Sequence, residues 1–140
     1  MATYTKFNAF VENMAEKVHN LGSDQLKIAS TNTAPTASNS VYTDLTSPLG
    51  TTNLSGATPF NITTSSSSQT SGTYKLVLAD LVLTASGGSF GPFRYVVVYN
   101  DTATNDPLIG YYDYGSSITV NDGETFTIDF DGTNGLFTLA

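Results

Sequence analysis

Two pairs of carboxylates are spaced so that they could do chemistry: Asp129 with Asp131, and Asp101 with Asp106. Most glycosidases set two acids on either side of the scissile bond, and the many tyrosines could supply a sugar platform, but Tyr111, Tyr112 and Tyr114 are better explained as strand residues, two on one face and Tyr111 on the other. A strand with a period of two puts Asp129 and Asp131 on one face only if it runs on past Phe130. The Asp131-Gly132-Thr133-Asn134-Gly135 segment that follows is a turn signal and argues against that. The same acidic run also has the look of a calcium loop, with oxygens around a glycine. Its glycine comes too early for an EF-hand, and no Glu stands at the twelfth position. Asp-Gly and Asn-Gly are the preferred residues of tight turns, so turn chemistry accounts for them, and the Asn100 to Asp106 loop is read the same way.

The chain has no cysteine and no tryptophan, and its single histidine is His19. A thiolate zinc site, a disulfide framework and a cysteine nucleophile are therefore excluded, and a Ser-His-Asp triad would have one base to draw on. His19 falls beside the polar edge of an N-terminal helix, near its end, where a capping or solvent role is expected. The sequence assigns no catalytic, cofactor-binding or metal-ligating residue, and the chain is expected not to be an enzyme.

The composition suits folding: 39% of the 140 residues are hydrophobic, with eight Phe and eight Tyr, and only 12% are charged. The surface must be dressed mainly by Ser, Thr and Asn. Of the formal charge of -7, all the excess lies from Asn100 onward, where seven acids meet no Lys or Arg. That disfavours direct nucleic-acid binding, which needs a basic face. An acidic rim serves solubility or meets a basic partner. The opening MATYTKFNAF has no long apolar run, so neither a secretory signal nor a membrane anchor is expected, and synthesis and use in the cytosol follow. The sequons at Asn53, Asn61 and Asn100 are then ordinary loop and strand-end residues.

The elements that must position these residues are mostly strands, within a single domain over 1–140. Residues 5–20 read as the one helix: Phe7, Phe10, Val11, Met14, Val18 and Leu21 form an apolar stripe, Thr3 or Thr5 could cap it, and Gly22 stops it. From residue 24 the period becomes that of strands. Leu26 and Ile28 alternate with polar neighbours, and Val41 to Leu45 form a second short run. Residues 46–72 are rich in Ser, Thr and Gly and read as a long mobile loop followed by a strand from about Phe60, the alternative being an edge strand over Thr58 to Gln69 whose Ser66 to Ser68 end frays. Tyr74 to Thr84 reads as one long strand, or two joined near Asp80, with a turn marked by Gly87-Gly88 and Gly91-Pro92. Phe93 to Tyr99 suits a central strand covered on both faces. Leu108 to Tyr114, Ser117 to Val120, an Asn121-Asp122-Gly123 hairpin turn, Thr125 to Phe130 and Leu136 to Leu139 complete the pattern. The expected fold is an all-β antiparallel sandwich of about eight strands, jelly-roll-like, with one short amphipathic N-terminal helix.

Three stretches add a resemblance. KFNAFVENMAEKVHNLGSDQLKIASTNTAPT near the start, SGTYKLVLADLVLTASGGSFGPFRYVVVYNDTATNDPLIGYYDYGSSITVNDGETFTIDFD in the middle, and the terminal GLFTLA resemble small structural proteins of tailed bacteriophages. Within that group, the size and β pattern are similar to capsid cement, or decoration, proteins. The resemblance implies a virion protein on the capsid exterior that binds the major capsid protein and stabilises the lattice, with self-association as a dimer or trimer. The loop within Thr46 to Gly72 and one aromatic-rich sheet edge are expected to make the contacts. A tail, baseplate or fibre-attachment component, or a non-catalytic carbohydrate-binding adhesive module, are the alternatives.

Overall fold

In the computed structural model, which describes residues 2–140, the chain opens not with a helix but with a strand, β1 (Thr3–Lys6). Its Thr-Tyr-Thr run pairs antiparallel with β7 (Leu108–Val120), from Thr3 opposite Asp113 to Lys6 opposite Gly110. Helix α1 is confined to Asn8–Ala15, half the expected span. No threonine caps it. Phe7 stands at its start without a side-chain cap, and tertiary bonds fix the entry: Phe7 N–H donates to the Ile109 carbonyl at 3.1 Å and Asn8 N–H to the Ala37 carbonyl at 2.9 Å. The helix ends early because Lys17 adopts a left-handed backbone, φ 66°, ahead of Gly22. Val18 and Leu21 therefore follow the helix instead of extending its stripe.

The remaining strands are β2 (Leu26–Thr31), β3 (Thr64–Thr70), β4 (Thr73–Leu78), β5 (Leu81–Thr84), β6 (Phe90–Asn100), β8 (Thr125–Ile128) and β9 (Phe137–Leu139). They form three antiparallel sheets, β1-β7-β6-β2, β3-β4-β9 and β5-β8. The expected antiparallel sandwich with one short helix is thus what the chain forms, with nine strands among the described residues. The run Tyr74 to Thr84 is two strands on different sheets that part at Ala79-Asp80. The Asn121 to Gly123 turn, closed by Glu124 N–H donating to the Asn121 carbonyl at 2.9 Å, likewise leads between sheets and not around a hairpin.

The central position expected for the Phe93 to Tyr99 run is borne out. β6 lies between β7 and β2, and residues on its two faces enter two clusters. Phe93, Val96 and Val98 join Ile28, Ile109, Leu76, Leu83, Ile128 and Phe130 in the main core. Val97 and Tyr99 point the other way, onto Phe7, Ala29, Leu45 and Leu108. Burying one ring such as Phe93 stabilises by about 3 kcal/mol relative to leaving it in water. Gly91-Pro92, expected at a turn, lie inside β6 at a register irregularity. Gly91 has φ 126°, and a Cβ there would meet the Ile118 carbonyl oxygen at 2.6 Å, so only glycine lets β7 come this close. Leu108 to Val120 is one continuous strand, although Gly115-Ser116 had suggested a break.

The Ser/Thr-rich segment is also more ordered than its composition suggests. Strand β3 begins at Thr64, and Ser66 to Ser68 are paired along it with β4 opposite Val77 to Lys75. Ahead of it, Ile62 N–H donates to the Leu26 carbonyl at 2.9 Å and Ile28 N–H to the Phe60 carbonyl at 3.0 Å, which covers the outer edge of β2. Leu54 and Ile62 are buried in the main core.

Candidate docking groove and acidic tyrosine pocket

His19 is not on a solvated helix edge. It lies in the segment after α1, is only 7% exposed, and its ring sits 5.3 Å from that of Phe10. Asn100 Nδ2 is 3.0 Å from its Nδ1 and 2.7 Å from an Asp24 carboxylate oxygen. Nδ1 therefore accepts, which leaves the proton on Nε2, a buried atom with no hydrogen-bond partner among the described residues. Burial pushes the His19 pKa down, partly offset by Asp24. The expected helix runs five residues past the observed end at Ala15, which puts His19 on the wrong surface.

Asp101 and Asp106 both lie near Tyr99, where their charges add to the rise that burial gives its pKa. Asp101 faces Lys27 at 3.1 Å, and Asp106 offers its backbone carbonyl to Tyr42 N–H at 3.0 Å. Among the described residues, no group of three or more His, Cys, Asp or Glu is placed to hold a metal ion. No helix among them is long and apolar enough to cross a membrane.

The tyrosines divide as their alternation demands, with Tyr111 packed on Phe7 (5.3 Å between centroids) and Tyr112 and Tyr114 on the opposite face of β7. Asp129 and Asp131 do come together with those two rings. Strand β8 stops at Ile128, but the turn curls back, Asp131 having φ 54°, so both acids line one pocket of about 490 Å³ with Tyr4, Tyr112 and Tyr114. A turn did what strand continuation could not. Asp131 is held by its turn: one oxygen accepts from the backbone N–H groups of Thr133 (3.2 Å) and Asn134 (3.0 Å), the other from Asn134 Nδ2 (2.8 Å). These bonds lower its pKa, the Asn134 backbone donor most. Asp129 spends one oxygen on Asp131 N–H at 2.8 Å.

A larger concavity, about 740 Å³, lies between α1 and β9 and was not foreseen from the sequence. Phe10, Val11 and Met14 line one wall, Leu136, Phe137 and Leu139 the other, and Tyr4 and Lys6 of β1 complete it. Phe10 meets Phe137 edge-on at 5.1 Å. Val11 and Leu139 are 55% and 57% exposed, among the few large apolar side chains left in water. β1 pairs with β7 alone and β9 with β4 alone, so two sheet edges open at this groove. The signal existed only in pieces, because β1 and β9 meet here through partners far apart in the chain.

Comparison of the chain with family models, curated proteins and solved structures finds no match in any of the three.

Proposed function

We propose that the protein is a non-catalytic structural component of a tailed-bacteriophage virion, a cement protein that binds the major capsid protein on the capsid exterior and stabilises the lattice. The observation that carries this reading is the apolar groove between α1 and β9, framed by two edge strands on a firmly packed sandwich. Val11 and Leu139, two of the four large apolar side chains exposed among the described residues, both line this groove, and apolar patches of this kind serve contact. The resemblance of the Lys6 to Thr36 and Ser71 to Asp131 stretches to small virion proteins supports the same class. Because a cement protein binds only the assembled shell, its binding free energy adds to lattice stability by linkage. Self-association as a dimer or trimer suits the symmetry axes of a shell, and neither nucleic acid nor membrane is a partner in this reading.

The Thr46 to Gly72 segment is a weaker choice for the contact than it looked, since it supplies core residues and covers β2. The test is therefore made at the groove. Quantitative mass spectrometry of purified virions is expected to find this chain in a ratio of order one to the shell protein, and Val11→Asp with Leu139→Asp is expected to abolish shell binding while the variant stays folded. A few copies per particle would move the protein to the tail or portal vertex. Absence from virions would favour the carbohydrate-binding module instead.

A further inference from the structure

The pocket of Tyr112, Tyr114, Asp129 and Asp131 adjoins the docking groove, sharing Tyr4 and Leu136 with it, and carries its own chemistry. Tyr112 is only 8% exposed, yet its hydroxyl makes no hydrogen bond among the described residues and lines the pocket. Both phenols keep their protons: burial pushes Tyr114 up to about 12, with Asp129 adding to the shift, and burial raises Tyr112 further, with Tyr114, Asp129 and Asp131 contributing. The phenols therefore lie in the field of the two carboxylates. No Lys or Arg lines the cavity; Lys75 acts on Asp131 from behind the turn, its Nζ donating to the Thr133 carbonyl at 2.9 Å.

Both oxygens of Asp131 are engaged, so it contributes charge more than a binding atom. Asp129 keeps one oxygen free of protein donors, and the Tyr112 and Tyr114 hydroxyls are uncommitted. Three acceptors in a negative, aromatic-walled cavity match a group that offers several N–H donors and a positive charge. We propose that this pocket binds an organic ammonium or guanidinium group, carried by a basic side chain of another protein or by a small free amine. A neutral polyol could use the same hydrogen bonds but would gain nothing from the charge, so it is the competitor to exclude.

The test is an NMR titration of the full chain at low salt with n-butylammonium, n-butylguanidinium, a blocked Gly-Lys-Gly peptide, and the neutral probes 1-pentanol and methyl glucoside. The cations are expected to give saturable shifts of the Tyr112 and Tyr114 ring signals and of the 127–135 amides, weakened by added salt. Asp129→Asn keeps the acceptor for Asp131 N–H and is expected to bind about tenfold more weakly, a loss of one charge-assisted contact. Asp122→Asn, an acid on another turn, is expected to bind as the parent does. Tighter binding of the peptide than of butylammonium identifies a protein side chain as the source, and the reverse a small amine. Absence of a saturable shift with every cation, or equal shifts with the neutral probes, overturns the proposal. The docking groove is tested separately, at Val11 and Leu139, which do not line this pocket.

Discussion

The side-chain amide of Asn100 holds His19 to the end of β6. Its Nδ2 donates to His19 Nδ1 at 3.0 Å and to Asp24 at 2.7 Å, while its carbonyl oxygen accepts from the N–H groups of Thr102 and Ala103 at 2.9 and 3.1 Å. One fully buried side chain thus ties the segment after α1 to the loop leaving β6. The arrangement requires a neutral imidazole.

Stability is expected to fall in mild acid for that reason. Burial holds the folded His19 pKa below the 6.5 of a free imidazole, so below that pH the unfolded chain binds more protons than the folded one. The His19 contribution is complete above 6.5 and is lost as pH falls toward the folded pKa. Urea midpoints measured across this range should decline for the parent, and His19→Gln should flatten the part of the slope that His19 causes. An identical slope in the variant would assign the effect to other groups.

Ser30→Ala is expected to stabilise. The Ser30 hydroxyl is fully buried in β2 and has no hydrogen-bond partner among the described residues. Removing a desolvated, unpaired hydroxyl should add about 1 kcal/mol, read as a higher urea midpoint at unchanged slope. A loss of stability would mean that the hydroxyl has a partner, such as a buried water.

Gly110→Ala is expected to destabilise by about 2 kcal/mol through overpacking. The Tyr4 ring and hydroxyl lie over Gly110 where a Cβ would stand, so the added methyl must displace that ring from its place on β7. Because the cause is one contact, Tyr4→Ala combined with Gly110→Ala should cost less than the two single changes together, a coupling that a double-mutant cycle in urea measures. Strict additivity would place the strain elsewhere.

What the sequence made legible follows from the range of the forces involved. Phe93 to Tyr99 could be read as a doubly covered strand because its own apolar run demands cover on both faces. The turns at Asn121 and Asp131 were visible because Asn, Asp and Gly act locally. The helix was overread because Thr3 to Lys6 choose strand only when β7 arrives, and because Lys17, not a glycine, takes the left-handed position. The burial of His19 depends on Asn100, and the joint pocket of Asp129 and Asp131 on the path of a turn; neither leaves a local pattern. The groove needs β1, α1 and β9 brought together, which no window of sequence contains.

The pairing of β1 with β7 and of β4 with β9 also bears on how the chain reaches its fold. Thr3 finds its partner only once Asp113 is available, and Tyr74, already beside Gln69, gains its second only with Leu139. During synthesis both ends of the sandwich must wait for late-made residues, with loop-closure entropy lost before the contacts that offset it can form. Such a topology folds slowly compared with helical domains of similar size. It also leaves the aliphatic face of β6 uncovered on the nascent polypeptide, where chaperone capture or premature association competes with completion.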